Sequence, residues 1–426
     1  MRILLIEVNP FAPPTIPISL GYIAAFLKKE GFDVKILNIS QEGEYSIKKL
    51  GNFIKEFSPQ LVGFSTYQRN ILFVLGFARF IKEINKEIKI ALGGPQITFM
   101  PSEALREMPM VDYLCRSEGE LSLLSIVKAI AGGNPFNGIQ GATYRVDGEI
   151  KEGEPIKGYE NLDNYPSPHL MDIFDYNPVE EVILITSRGC PFNCVFCYTP
   201  QASGHKIRFH SIERVLEEIK WIVKKGKNQL WFADPNFSFK GERVHQLLEG
   251  ILREGLKVKI WLETRVDLID EEMIKKMKRA GVHTIAYGLE SASERILKII
   301  KKKISIEQLE KAIFLAQKNG IEVEVFSLFA LPGETFKEAL QTLEFVKAHG
   351  IKIQGNSNAQ QMQLYFGSPI TNNYQKYGIK PFSEKRPLYI SIGDRYETET
   401  MSREEIATIK KLWREHSLDK GRRIVS

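Results

Sequence analysis

Val182-Ile-Leu-Ile-Thr186-Ser-Arg-Gly-Cys190-Pro-Phe-Asn-Cys194-Val-Phe-Cys197 is an apolar run that breaks at a glycine and enters three cysteines spread over eight residues. The run has no apolar–polar alternation, as expected of a parallel strand covered on both faces. Downstream of it, strand-like and helix-like stretches alternate at a steady spacing. Strands are predicted at 229–234, 257–264, 284–288 and 322–329, and helices at 211–225, 241–254, 271–280, 306–319 and 336–348. A sixth strand starts near Ile351. Ser305 with Gln308, and Thr335 with Glu338, have capping-box spacing, and glycines stand just past the helix ends. Six strand–helix units are too few to close an eight-stranded barrel. They predict a partial barrel whose active site lies at the C-terminal ends of its strands.

The cysteines, spaced C-x3-C-x2-C, sit on a loop at such a strand end. Thiolates are the usual ligands of iron–sulfur clusters, and a [4Fe–4S] cube has four corners to fill. Three cysteines leave one iron for the amino and carboxylate groups of an external molecule. The alternative is structural zinc, which needs four closed Cys or His ligands; His205 or His210 can supply the fourth. The lack of a second C-x2-C pair and the place on a catalytic rim favour the cluster. Cys115, the fourth cysteine, stands alone, so the pattern is not a disulfide framework and points to a reducing compartment.

C-x3-C-x-aromatic-C after the first strand of a partial barrel resembles the radical S-adenosylmethionine (SAM) superfamily, and the resemblance runs from about Val182 to Tyr365. It implies that Cys190, Cys194 and Cys197 hold the cluster, that the open iron chelates SAM, and that Phe196 packs beside the adenine. It implies three further SAM contacts: Asp234 to the ammonium, Arg265 to the carboxylate, and Glu290 to ribose or the amino group. Pro332 and Gly333, in a Leu-Pro-Gly-Glu turn, approach the adenine. Pro235 departs from the acidic residue usual in the family's F-x-D-D-x-F stretch. Read from the residues alone, Asp234 can equally cap a turn, Arg265 and Glu290 can form a structural ion pair, and Pro332-Gly333 can simply begin a helix. An external one-electron donor of flavodoxin or ferredoxin type is implied as a partner.

Residues 1–130 alternate strand and helix as well, with five strands and helical crossovers, which predicts a doubly wound parallel sheet. Such a sheet binds its ligand beyond the C-terminal strand ends. Those ends carry Thr66, Tyr67, Gln68 and Arg69, then Gly93, Gly94 and Pro95, then Glu118 and Gly119. No G-x-G-x-x-G follows the first strand, which argues against a dinucleotide. The order resembles the cobalamin-binding domain that precedes the barrel in the largest radical SAM subgroup, and implies that these nine residues hold cobalamin. No histidine precedes His169, so the domain has none to place under cobalt. The expected fold is therefore α/β: a Rossmann-like cobalamin-binding domain at 1–135, a linker at 136–178 with a hairpin at 142–150, a partial (β/α)6 radical SAM barrel at 179–365, and an extension at 366–426 capping the barrel mouth.

Composition agrees with a globular chain: 426 residues, 43% hydrophobic and 26% charged, with a net charge of +6. Lys and Glu are interspersed along the helices, and short runs such as Lys301–Lys303 read as solvated faces rather than a nucleic-acid patch. The start lacks the features of a signal peptide and no apolar run is long enough to span a bilayer, so a cytoplasmic protein without membrane partners is expected. The function implied is methylation of an unactivated carbon, or of phosphorus, in a small molecule by methylcobalamin. A cyclase or rearrangement enzyme using the same cofactors is the alternative, and a zinc-stabilised binding protein is the reading from another class. Gln354, Asn356, Asn358, Gln360 and Gln363 suggest a neutral, polar substrate surface on the last strand.

Overall fold

Ile3, Leu4, Leu5, Ile6 and Val8 are all buried in the first strand, as a central parallel strand requires. The computed structural model describes residues 1–9, 16–40, 43–136, 138–177, 179–351 and 359–419. They form two compact units. The first holds Met1–Val179 with Tyr365–Gly367 and Lys385–Ser391; the second holds Glu180–Leu364, Ser368–Glu384 and the chain from Ile392 onward.

The first unit is built on one seven-stranded sheet. Its strands are β1 (Arg2–Asn9), β2 (Asp33–Ser40), β3 (Leu61–Ser65), β4 (Lys89–Gly93), β5 (Tyr113–Cys115), β6 (Ala142–Val146) and β7 (Glu149–Glu152). The order is β2-β1-β3-β4-β5-β6-β7, parallel as far as β5 and antiparallel after it. Helices α1 (Ile18–Lys29), α2 (Gly43–Phe57), α3 (Ile71–Ile84), the short α4 (Pro95–Thr98) and α5 (Gly119–Ala131) make the connections. Helix α1 packs with α5, and α2 with α3. The strand order reverses between β1 and β3, and ligands of such sheets bind in the crevice at that reversal.

The segment assigned to a linker is largely part of this unit. The hairpin β6–β7 pairs with β5, which as a three-residue edge would otherwise expose unpaired backbone groups. Leu162, Tyr165 and His169 beyond it are buried. The chain also returns late: Gln68 hydrogen-bonds the backbone and hydroxyl of Ser391, and the Gln96 amide donates to the Tyr389 carbonyl at 2.8 Å. Part of the extension expected to cap the barrel therefore completes the first unit, because these two amides offer it backbone-like partners.

The second unit contains the open barrel: β8 (Glu181–Leu184), β11 (Gln229–Phe232), β12 (Lys259–Thr264), β13 (Val282–Glu290), β14 (Glu322–Phe329) and β15 (Ala359–Gln361), parallel throughout and ordered β15-β14-β13-β12-β11-β8. The small pair β9 (Ser187–Arg188) and β10 (Arg208–Phe209), with the short helix α6 (Thr199–Ser203), brackets the cysteines. Helices α7 (Ile212–Lys224), α8 (Gly241–Arg253), α9 (Glu271–Arg279), α10 (Glu294–Ile299), α11 (Ile306–Lys318) and α12 (Phe336–Ala348) follow the strands. Both expected capping boxes form, at α11 and α12. The hairpin of β16 (Ile379–Pro381) and β17 (Tyr396–Thr398) and the helix α13 (Arg403–Asp419) end the chain. The sixth barrel strand is described only from Ala359; Gln354, Asn356 and Asn358 lie outside the described residues. No helix among the described residues is long and apolar enough to cross a membrane.

Gly94 is fixed by the first unit's own backbone. Its φ is +101°, and an added Cβ would stand 2.8 Å from the Thr66 carbonyl oxygen. Gly93 next to it leaves a Cβ 3.6 Å from that of Cys115, an ordinary contact. Gly94→Ala is expected to lower stability by about 2 kcal/mol or more, whereas Gly93→Ala changes it little. Thermal unfolding of the two variants measures the difference.

Candidate functional site

The loop from β8 into the cysteines is held by one carboxylate. Asp234, just beyond β11 and 1% exposed, accepts from the Thr186 amide (2.6 Å), the Thr186 hydroxyl (2.5 Å) and the Ser187 amide (3.0 Å). Arg243 on α8 donates to the carbonyls of Thr186 and His210, and its guanidinium lies over Phe209. Both oxygens of Asp234 thus position the turn that launches the cysteine loop. Burial pushes its carboxyl above the usual range, while the Thr186 bonds pull it back.

The three cysteines are free, and charges act between each pair of them. Burial pushes all three thiols up, and the Lys302 ammonium pulls all three down. Arg265 acts in the same sense on Cys190 and Cys194. The loop is tied at its centre, where the Val195 amide donates to the Ile300 carbonyl and the Val195 carbonyl accepts from the Ile370 amide. Phe196 is partly exposed beside it.

Arg265 and Glu290 do not pair with each other. Arg265 makes a bidentate pair with Asp267 (2.9 and 3.0 Å), donates to the Lys302 carbonyl at 2.9 Å, and lies 3.8 Å over the Phe192 ring of the cysteine loop. Glu290 instead bonds Lys302 at 2.9 Å, with both side chains only 8% exposed. The run Lys301–Lys303 is therefore not a solvated face. Its outer two members are exposed and its central lysine is buried. The strand pairing shifts register between Gly288 and Glu290, a bulge that re-aims the glutamate, whose φ is +61°. Pro332 is buried and Gly333, at φ +68°, accepts from Arg295 at the start of α12. Glu334 of the same turn is wholly buried, and burial pushes its carboxyl up to about 8.

Some site residues escaped the sequence reading. Asn236 receives hydrogen bonds from Thr264 and the Arg265 amide, but its Nδ2 is buried without a partner among the described residues, as is the Ser238 hydroxyl. These orphaned atoms lie at the strand ends where a polar ligand is expected, so the residues present fit SAM. Asn236 stands two residues after Asp234, in a stretch read only for its acidic position. The sheet face opposite the buried Ile260 and Leu262 carries Trp261 and Glu263 of β12 and, by pairing, Trp231, Glu324 and Phe326. Trp231 meets Trp261 edge-on at 5.5 Å, and Trp261 donates to Glu324 at 3.1 Å. Burial pushes Glu263 up to about 7; the neighbouring Trp231 indole opposes this and the Asp234 charge adds to it. The alternation Lys259-Ile-Trp-Leu-Glu263 was the available signal.

The cysteine donor set fits a cluster with one open iron: three thiols, two buried cations nearby, and no fourth thiol in the loop. Among the described residues no three or more His, Cys, Asp or Glu side chains are arranged to hold a single metal ion. His210 is buried and His205 exposed.

In the first unit, Thr66, Tyr67, Gln68, Arg69, Gly93, Gly94 and Pro95 gather at the C-terminal edge beside the strand reversal. Thr66 and Gly93 are joined by a 2.8 Å backbone bond. Asn70 braces the loop, accepting from the Tyr67 amide and donating to the Val8 and Ser65 carbonyls. Gln68 is engaged by Ser391, and Glu118 accepts a 2.5 Å bond from Tyr165. Gly119 opens α5. Glu7, paired in register with Ser65, has one carboxylate oxygen buried without a partner among the described residues, and burial pushes it up to about 7. The Ser117 hydroxyl is likewise orphaned. A cofactor rimmed with amides, such as cobalamin, fits these groups. His169 is fully buried, with Nδ1 on the Tyr176 hydroxyl.

Comparison with known proteins assigns residues 184–346 to the radical SAM superfamily and residues 6–140 to the B12 binding domain. An uncharacterized methyltransferase of Pyrococcus horikoshii is 34% identical over 336 residues, covering 78% of this chain and 73% of that one. An anaerobic magnesium-protoporphyrin IX monomethyl ester cyclase of Rubrivivax gelatinosus is 26% identical over 376 residues, covering 85% of this chain and 66% of the cyclase. The radical SAM methyltransferase TsrM of Kitasatospora setae, solved with tryptophan and a SAM analogue, shares the fold: TM-score 0.75 at 20% identity, over 91% of this chain and 79% of that one.

Because Asp234 grips the head of the cysteine loop, its removal acts on the cluster before it acts on SAM. Asp234→Ala leaves buried donors unpaired, at about 2–3 kcal/mol. It is expected to lower the iron retained per chain after anaerobic reconstitution with all three cysteines intact. Asp234→Asn keeps one acceptor and loses less. Full iron with weakened SAM binding would instead make Asp234 a direct SAM contact.

Proposed function

The chain belongs to the B12-binding radical SAM family, and on that footing we propose that it is a methyltransferase acting on an unactivated carbon, or on phosphorus, of a small molecule. With [4Fe–4S] cluster, SAM and cobalamin bound, the chemistry supplied is one-electron cleavage of SAM to methionine and a 5′-deoxyadenosyl radical, with a methyl group delivered to a centre that has no nucleophilic electrons of its own. Cys190, Cys194 and Cys197 would hold the cluster. Asn236 and Ser238, with unpaired polar atoms at the strand ends, would receive the polar end of SAM, and Phe196 would cover the adenine. Pro332 and Gly333 would line the adenine turn. Arg265 and Glu290 act through their neighbours, stacking on the cysteine loop and bracing Lys302. Thr66 to Arg69, Gly93 to Pro95, Glu118 and Gly119 would border the corrinoid, with Glu7 offering a protonatable carboxyl at the strand reversal. The electron would come from an external donor of flavodoxin or ferredoxin type.

The observation that carries this reading is the three-thiol loop held by a buried framework in one unit, joined in the same chain to a sheet of B12-binding type. The 34% identical methyltransferase supports methylation. The cyclase likeness supports the second reading, a cyclase or rearrangement enzyme with the same cofactors. The two differ in what happens when substrate is left out. Anaerobic protein incubated with cobalamin, a strong reductant and SAM labelled in its methyl group is expected to place label in the corrinoid fraction. Corrinoid without label, together with deoxyadenosine release, favours the cyclase. Cys194→Ala is expected to lose the cluster absorbance and reduce deoxyadenosine to background, because two thiolates cannot hold the cube. Activity surviving in that variant would sink the assignment.

A further inference from the structure

Lys302 is placed in the barrel by unusual means. It lies in a short connection between α10 and α11 whose flanking residues, Lys301 and Lys303, both adopt left-handed backbone at φ +56° and +54°. Lysine seldom takes that conformation, and a strained pair of this kind persists only where surrounding contacts over-determine it. Those contacts are present. The Ile300 carbonyl accepts from Val195, inside the cysteine motif, and the Lys302 carbonyl accepts from Arg265. The connection is therefore wedged between the cysteine loop and the arginine stacked on it, and Lys302 between its two exposed neighbours is 7% exposed.

The barrel has also made room for the side chain. A Cβ on Gly288 would stand 2.4 Å from the Lys302 nitrogen and 2.8 Å from a Glu290 oxygen. The glycine of the Gly-Leu-Glu stretch thus admits the ion pair, and the bulge that follows it turns Glu290 onto Lys302. Burial works against the ammonium, and the Glu290 carboxylate 2.9 Å away works for it. A charge this costly to bury is retained where it has a partner to neutralise; here Glu290 braces it at 2.9 Å, and the connection that carries it is hydrogen-bonded through Ile300 to the cysteine motif.

We propose that Lys302 is a positioning residue for the cluster: a fixed positive charge, braced by Glu290 and admitted by Gly288, that favours uptake of the electron used to cleave SAM. The inference rests on the cluster reading of Cys190, Cys194 and Cys197. A low-potential one-electron donor adds one negative charge to the cluster. That electron then passes to the SAM sulfonium, whose S–C5′ bond breaks to leave methionine and the deoxyadenosyl radical. A buried cation stabilises the reduced form over the oxidised form, because charges interact strongly where water is excluded.

The test measures the cluster's midpoint potential, by dye-mediated titration without SAM, on reconstituted full-length protein, with iron per chain counted in parallel. Lys302→Met is expected to keep its iron and to shift the potential to more negative values. Glu290→Gln removes the opposite charge and should shift it to more positive values, while Lys302→Arg stays near the wild type. A purely structural pair predicts instead that both neutral variants move together, or that neither moves with iron intact; either result overturns the proposal. Should Lys302→Met lose its iron, the Lys302→Met/Glu290→Gln double variant, which buries no lone charge, is compared with Glu290→Gln. A negative shift upholds the proposal and an equal potential overturns it. Wild-type protein that takes up no iron would sink the cluster reading itself, an outcome distinct from intact iron with an unmoved potential.

Discussion

Three thiols close enough to feel one another must be held in a dry place before they have a metal to hold. The second unit meets this constraint with a framework of buried charge around the cysteine loop. Asp234 grips the backbone at its head, Arg265 stacks on Phe192 within it, and the Ile300–Lys303 connection is hydrogen-bonded to its centre. These groups come from three separate places in the second unit, the ends of β11 and β12 and the connection between α10 and α11, so the packed barrel sets the loop's geometry. Burial alone would keep the thiols protonated, and the cations beside them oppose that.

Residues with family-like spacing already have partners within the protein. Asp234, Arg265 and Glu290 each bond protein groups: Thr186 and Ser187, Asp267, and Lys302. Asn236 and Ser238, each with a buried polar atom lacking a partner among the described residues, lie just after Asp234 in sequence and carry no charge. The polar face of the barrel, with its two indoles and two glutamates, is a second consequence of the parallel sheet. Alternate residues must point away from the helices, and there the chain placed Trp231, Trp261, Glu263 and Glu324.

The first unit obeys the same logic with fewer charges. Its sheet reverses order between β1 and β3, so the loop after β3 must cross the crevice, and Asn70 fixes that loop to β1 through the Val8 carbonyl. The left-handed Gly94 lets the next loop lie against Thr66. Among the described residues, Glu7 keeps an unpaired carboxylate oxygen there, and burial pushes its carboxyl up to about 7 beside the crevice where doubly wound sheets take their ligands.

Strand–helix alternation, helix caps, the two α/β architectures and the cysteine spacing were all legible in the sequence, because each depends on residues within about a dozen positions of one another. Lys302 was not. Three consecutive lysines look solvated, and only the backbone turns on either side, the space left by Gly288 and a glutamate twelve residues away make the middle one a buried charge. The return of residues 385–391 to the first unit was equally invisible, since it depends on amides at Gln68 and Gln96 some three hundred residues earlier. Local patterning determined which elements form and which residues stand at their ends. Only the tertiary structure decided which charges face each other, because burial, which makes a pairing strong, is a property of the packed chain and of no single stretch within it.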